Sequence, residues 1–535
     1  MAPERSAAEE TARIKRGVTR AAGFVGLATF LSRITGFVRD MVIAHFFGAR
    51  EVADAFFMAF RIPNMLRRYT AEGALTAAWV PVFSSRLAKS REEAFVLANN
   101  VLSMLAIITF LFAAAGMAAA PWLVMAIAPG FLADAAKFGL TVDLTRVMFP
   151  FCVFISLAAG LMGMANTMGA YFVPAAAPIL LNLAVIACAV IFHDWFSTPA
   201  MSLAVGVLLG GLLQVAWQYA QVSRLGYSYR PSLDHRDEDT KKVGTLMAPA
   251  ALGMAAVEIN LLVGGILASF LPHGAVSYLY YGNRVVTMPS GIIGASFSLA
   301  TLPAMSKEAA GGGLMGRLVE IFSHSMRVTL LVTVPAMAAL LALSEPITNL
   351  LFERGEFDQL ARLGSAHAMA MYAIGLPAIT GLRLVANSFY AMKDTSTPAK
   401  VAGWCVLANV GLSFALVGPM AHGGLALATS LASWLNMGVL IYLLRRRLGK
   451  IEGRKIAMTL AKVSVSAAFM VAFVIWYAGA YYSYSAGTMV KTLHMGITVT
   501  MGLAVYFAAL RLLKCEEIYE LWDMAASKIS RMRGK

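Results

Sequence analysis

Apolar stretches of about twenty residues recur from one end of this chain to the other, and they constrain its fold more than any other feature. Twenty helical residues at about 1.5 Å each span roughly 30 Å, the thickness of a bilayer's hydrocarbon core. No water reaches that layer to satisfy backbone N–H and C=O groups, so a crossing segment must bond internally. The composition agrees, with 59% hydrophobic and 14% charged residues, where a soluble domain has about 25% charged. No polar stretch is long enough to fold outside the membrane. The fold class expected is therefore an all-α integral membrane protein.

About fourteen spans are predicted, near 22–47, 55–89, 96–125, 138–165, 174–193, 199–223, 243–271, 277–306, 320–344, 363–390, 398–419, 422–445, 458–482 and 488–513. The second is the least regular, because Pro63 should break or kink it and a polar cluster follows. Lys and Arg gather in every second loop: at Arg13–Arg20, Arg86–Arg91, Arg224–Lys242, Lys307–Arg317, Lys393–Lys400, Arg445–Lys455 and Lys528–Lys535. The intervening loops are nearly free of them, apart from the mixed-charge "LFERGEFDQLARLG". Such a bias orients spans with the basic loops in the cytoplasm, so both termini are expected there and the span count even. The net charge of +15 is explained by this topology and does not point to nucleic acid. The polar N-terminus lacks the apolar core of a cleaved signal peptide. Cys152, Cys188, Cys405 and Cys515 are far apart and show no metal or disulfide spacing.

The halves echo each other. "GALTAAWVPVFS" (Gly73 to Ser84) and "GASFSLATLPAMS" (Gly294 to Ser306) share a Pro-x-x-Ser ending. Each follows an aromatic stretch with an arginine, "AFFMAFRIPN" and "YLYYGNRVVTMP". Six spans per copy, offset by roughly 220 residues, give parallel repeats of one orientation. Recurrence of Gly, Ala and Pro, common in any polytopic protein, is the plainer alternative. The expected organisation is a cytoplasmic segment 1–21, an N-lobe 22–223, a loop 224–242, a C-lobe 243–445, a loop 446–457, a helix pair 458–513 and a tail 514–535.

Charges within spans are costly and mark function by default. In "LSRITGFVRDMVIAHFFG", Arg33 lies about 16 Å into the first span. Arg33, Gly36, Phe37 and Asp40 share one helical face, with Arg39 about 100° away. "NMLRRYTAEG" adds Arg67, Arg68 and Glu72, "DAFF" adds Asp54, and "YYGNRVVTMPSG" adds Asn283 and Arg284. Four central arginines cost roughly 10 kcal/mol to insert. Arg39–Asp40 and Arg68–Glu72 could be helix-stabilising pairs, the latter at i, i+4. That leaves Arg33, Arg67 and Arg284 without an obvious partner, and a positive, water-filled cavity explains them better. Guanidinium groups bind phosphate bidentately and stay charged when buried, so such a cavity suits a phosphate-bearing substrate.

Other signals are weaker. Glu258 is a candidate proton or cation site, though a lone intramembrane Glu is often a satisfied packing contact. The eight histidines are scattered singly and form no metal or catalytic cluster. The last two spans could offer a surface to a lipid tail or serve as packing. A drug or cation antiporter would need a carboxylate-rich lobe, and an enzyme acting on a polyprenyl phosphate would need clustered Asp or a His nucleophile. The excess of arginine argues against the antiporter, which stays as an alternative function with Glu258 its one support; the enzyme pattern is not found, and no catalytic residue, cofactor or metal site is assigned.

"SRITGFVRDMVIAHFFGAREVADAFFMAFRIPNMLRRYTAEGALTAAWVPVFS" resembles the N-terminal signature of the MurJ (MviN) lipid II flippase family. That family lies within the multidrug/oligosaccharidyl-lipid/polysaccharide exporter superfamily. "AAPWLVMAIAPGF", "YYGNRVVTMPSGIIG" and "FYAMKDTSTPAK" extend the resemblance over nearly the whole chain. It implies two six-helix lobes, an added pair forming a tail groove at 458–513, and alternating access in a bacterial inner membrane. The implied cargo is undecaprenyl-pyrophosphate-linked disaccharide pentapeptide, moved to the periplasmic leaflet for cell wall synthesis. The substrate-binding positions implied are Arg33, Arg39, Arg67 and Arg284, with Asp40 and Asp54 as acidic partners. Asn283 and Thr287 stand where some members have carboxylates, so a charge-pair gate there is not expected to carry over. Implied partners are lipid II, membrane lipids and peptidoglycan synthesis enzymes, with coupling to a monovalent cation or the membrane potential left open. Another lipid-linked oligosaccharide is the alternative cargo.

Overall fold

The computed structural model describes residues 2–71, 73–234, 236–310 and 315–519. These residues are helical almost throughout, and the chain divides into two compact units, Met1–Phe270 and Leu271–Lys535.

The first unit contains α1 (Ala2–Phe47), α2 (Glu51–Ala71), α3 (Ala74–Leu87), α4 (Arg91–Ala118), α5 (Ala120–Ile127), α6 (Ala135–Met148), α7 (Phe151–Thr167), α8 (Phe172–Ile191), α9 (Ala200–Arg224) and α10 (Glu238–Ser269). Helix starts follow local chemistry. Ser90, Asp134 and Asp237 cap α4, α6 and α10, each side chain accepting backbone N–H bonds that the first turn leaves unpaired. Pro150, which has no N–H to donate, stands where α6 gives way to α7. Helix α2 runs on through Pro63, and the irregularity expected there comes at Gly73, whose φ −139° and ψ −110° leave the helical region.

Close approach explains the packing of α8 on α9. A Cβ at Gly206 would lie 2.8 Å from the Val185 Cα, and one at Gly210 would lie 2.7 Å from the Leu181 Cα. Small residues at i, i+4 let two helix backbones touch where lipid supplies no hydrophobic drive. Helix α8 also lies against α1, and α2 against α6. Helix α10 packs in this first unit along α3, although the expected C-lobe begins at residue 243. Side chains account for this placement. Arg86 at the end of α3 binds Asp237 at 3.0 Å and also Asp239, and the Gly130 N–H donates to Ser269 Oγ at 3.0 Å.

The second unit contains α11 (Ala275–Ala310), α12 (Met315–Ala342), α13 (Ser344–Leu351), α14 (Gln359–Ala373), α15 (Leu376–Ala391), α16 (Ser396–Leu448), α17 (Gly453–Tyr481) and α18 (Thr488–Leu512). Helix α16 reverses at Ala421, where φ is 48° and ψ −130°. Arg447 Nη1 near one end lies 2.6 Å from Asp394 Oδ2 beside the other. A straight helix of that length would reach about 80 Å, so α16 is the hairpin expected at 398–419 and 422–445. In α17, Val463, Ala467, Met470 and Val474 form one buried stripe, joined to Phe322, Met326, Leu330 and Val334 of α12. Val465, Phe469, Ile475 and Trp476 leave the same helix exposed on its other side. The Tyr506 hydroxyl of α18 donates to the Leu331 carbonyl at 2.7 Å. One face of the added pair therefore packs and the other stays apolar and open.

Among the described residues most of each expected range is helical, with breaks inside some, as at Gly73 and Phe149–Pro150. Nine helical stretches among the described residues are long and apolar enough to cross a membrane, and the protein is a multi-pass membrane protein. The expected spans at α1, α2–α3, α10 and α11 lie outside that set.

Candidate functional site

Helix α1 presents its charges on a pinned face. Arg39 Nε and Nη2 both donate to Asp40 Oδ1, at 3.1 and 2.6 Å, and Asp40 is buried. Arg39 Nη1 donates to Asn182 Oδ1 of α8 at 3.2 Å. The Asn182 amide nitrogen in turn donates to the Ser32 carbonyl and to Thr35 Oγ1, both at 3.2 Å. Asn182 thus fixes the helix on either side of Arg33. Arg33 itself is exposed, and among the described residues no hydrogen bond or ion pair engages it. A rigid mount with a free guanidinium is suited to an anion that arrives from outside the fold.

Helix α2 carries the neighbouring pair of arginines in different settings. Arg67 Nε donates to Asn64 Oδ1 at 3.0 Å, one turn back on the same helix. Arg68 Nη1 reaches across to Glu258 Oε1 of α10 at 3.1 Å. Glu258, named as a possible proton or cation site, is therefore the bonded partner of an arginine. Glu72, expected to pair with Arg68, lies outside the described residues.

Asp54 has a partner that the sequence did not suggest. Lys137 Nζ of α6 donates to Asp54 Oδ2 at 2.8 Å, with the side chains 4% and 1% exposed. The ammonium also stands 4.1 Å from the centroid of the Phe131 ring, where the π-face stabilises a cation. Asp54 was implied as an acidic partner of arginines, and this bond adds a lysine that falls one residue before the expected start of the fourth span. A lone Lys in a loop otherwise poor in Lys and Arg was the available signal. Asn182 gave no signal, since a single Asn in an apolar helix is unremarkable by pattern.

In the second unit, Arg284 lies half-buried in α11. Tyr281 anchors that stretch among Phe352 and Phe357, with ring centroids 5.0 and 5.3 Å away. A Cβ at Gly282 would come 2.7 Å from the Met369 nitrogen, so α11 seats closely on α14. Thr287 Oγ1 donates to the Arg284 carbonyl at 3.1 Å, as a hydroxyl in place of a carboxylate can. Elsewhere in this unit His367 and His422, read as isolated residues, meet with ring centroids 5.5 Å apart.

Residues 43–495 match the profile of a family described as lipid II flippase MurJ. The matched range includes Asp54, Arg67, Arg68, Glu258 and Arg284 and begins after Arg33, Arg39 and Asp40. A probable lipid II flippase MurJ of Rickettsia prowazekii is 32% identical, over 91% of this chain and 96% of the relative. A lipid II flippase MurJ of Burkholderia cenocepacia is 34% identical, over 78% of this chain and 82% of the relative. Among solved structures, a lipid II flippase MurJ in an inward closed conformation aligns with a TM-score of 0.77 and 24% identity, covering 92% of this chain and 99% of that one. An inward-facing multidrug resistance MATE family transporter aligns at 0.62 with 13% identity, covering 78% and 95%. At those identities the two structures establish a shared fold.

Proposed function

The chain belongs to the lipid II flippase MurJ family, and from that premise we propose that it is a transporter that carries lipid II across the bacterial cytoplasmic membrane. The observation that carries the reading to residues is the α1 face, where Asn182 and Asp40 hold the helix rigid and Arg33 projects exposed. The cargo's diphosphate binds the arginines, with Arg33, Arg39 and Arg67 acting in the first unit and Arg284 in the second. The sugar-peptide head travels with the diphosphate through water, while the polyprenyl tail stays in lipid along the exposed apolar side of α17 and α18. Transport runs from the cytoplasmic to the periplasmic leaflet by alternating access. Both termini lie in the cytoplasm, as the basic loops require. The membrane potential, or a monovalent cation, resets the empty carrier, whose excess positive charge responds to the field.

Leaflet exposure of lipid II, measured in cells depleted of their own flippase, tests this. The wild-type chain should restore periplasmic exposure, and Arg33→Ala, Arg39→Ala and Arg284→Ala at equal membrane levels should not. A correctly inserted wild-type chain that fails to restore exposure would transfer the assignment to another lipid-linked oligosaccharide. Variants that work as well as wild type would make these arginines structural.

A further inference from the structure

Two arginines of α2 lie along α10 in antiparallel register. A Cβ at Gly265 would fall 1.5 Å from Arg61 Nη1, so the Arg61 side chain rests on bare backbone there. Seven residues further along α2, Arg68 meets Glu258, which stands seven residues before Gly265. Seven residues are two turns, so both contacts belong to one seam down the two helices.

The Arg68–Glu258 pair is lopsided. The glutamate side chain is 6% exposed and the arginine side chain 36%. A guanidinium carries five N–H donors in a fixed fork. Among the described residues only Nη1 of Arg68 has a protein acceptor. The pair is therefore closed on its carboxylate side and open on its arginine side. Glu258 lies fifteen residues into the expected span 243–271, about 22 Å along the helix. A buried carboxylate at such depth persists only with a cation beside it.

A carboxylate bonded through one oxygen leaves most of the fork vacant, and a diphosphate can fill it. Phosphate oxygens present the same acceptor geometry as a carboxylate, with more charge and more oxygens. We propose that Glu258 is the resting counter-ion of Arg68, holding the guanidinium until a diphosphate displaces it. Arg68 is then a cargo-contacting arginine, and Glu258 sets how readily it is released. This rests on the lipid II reading for the cargo's identity, while the competition itself requires only a diphosphate. Its consequence for transport is a built-in balance, because the carboxylate that weakens cargo capture also re-engages Arg68 and promotes cargo release.

The test is equilibrium binding of lipid II, and separately of inorganic pyrophosphate, to the purified full-length protein in nanodiscs. Glu258→Gln keeps the shape and removes the charge, and it should tighten both ligands by about tenfold, within the usual range of coupling between sites. Arg68→Ala should weaken both. In the double variant Arg68→Ala/Glu258→Gln the gain should vanish, because the carboxylate acts through that arginine. If Glu258→Gln does not purify as a monodisperse protein, Glu258→Asp, which shortens the reach to Arg68, should shift affinity in the same direction. Unchanged or weaker binding in the Glu258 variant would overturn the proposal, since Glu258 would then position Arg68 rather than compete for it. A gain that survives in the double variant would overturn it too, as a field effect independent of Arg68. Wild-type protein that binds pyrophosphate but not lipid II would sink the cargo assignment and leave the pyrophosphate comparison intact.

Discussion

Two ion pairs in the first unit use similar chemistry to opposite ends. Lys137–Asp54 joins α6 to α2 with both partners sealed from solvent and an aromatic ring over the ammonium. Arg68–Glu258 joins α2 to α10 with the carboxylate sealed and the guanidinium half open. The sealed pair is shut off from solvent and fastens two helices. The open pair has donors to spare and can exchange partners. Charge within a membrane protein's interior is thus not in itself a sign of cargo binding, and the exposure of each partner separates a fastener from a candidate switch.

That contrast can be broken or sharpened by unfolding and transport measurements. The largest effect belongs to the sealed pair. Lys137→Met removes the ammonium that neutralises the buried Asp54 carboxylate and should cost about 3–5 kcal/mol, read as loss of folded protein in detergent denaturation. Adding Asp54→Leu should recover most of it, because an apolar pair carries no desolvation penalty; a double variant as unstable as the single would show that the loss comes from packing instead. Next comes the pin on α1. Asn182→Ala removes one acceptor and one amide donor that together serve Arg39, Ser32 and Thr35, and a loss of about 1–3 kcal/mol is expected. Its transport defect should be milder than that of Arg33→Ala, since the arginine itself remains.

A smaller effect is expected at the loop before α16. Asp394 accepts from the Thr397 N–H at 2.9 Å and from its hydroxyl at 2.6 Å, and it pairs with Arg447. These bonds, the Thr397 hydroxyl's foremost, hold the Asp394 carboxyl below its ordinary titration range. A depressed folded-state value gives stability that is present above the ordinary range and fades as pH falls through the folded value. Asp394→Asn should therefore cost on the order of 0.5 kcal/mol near neutral pH, as partly exposed pairs do. In unfolding curves taken across acid pH the gap from wild type should close below about pH 4. A gap that stays constant with pH would assign the effect to lost side-chain shape. The smallest stability change is expected at Arg33→Ala, under about 0.5 kcal/mol for an exposed side chain, combined with loss of lipid II exposure. A large destabilisation there would place Arg33 among the fasteners.

What could be read in advance follows the range of each interaction. The apolar runs, the charge bias of the loops, the hairpin around Ala421 and the arginines of α1 and α2 are local in sequence, and bilayer thickness turns them into helices of known length. The same physics demanded that the buried charges be paired without saying by whom. Spacing along one helix suggested Glu72 for Arg68, and the family resemblance implied arginine partners for Asp54. The structure adds partners from far along the chain: Glu258 for Arg68 across 190 residues, Lys137 for Asp54 across 83, and Asn182 for Arg39 across 143. Glu258 could be read only as a possible ion site or a packing contact for the same reason. By itself the sequence determined that this is a multi-pass helical protein with costly arginines set deep in its spans. Tertiary packing alone decided which of those charges are fastened and which are left open, because an ion pair is selected by which helix faces meet, and that depends on contacts such as Gly206 and Gly210 against α8 that bring distant segments together.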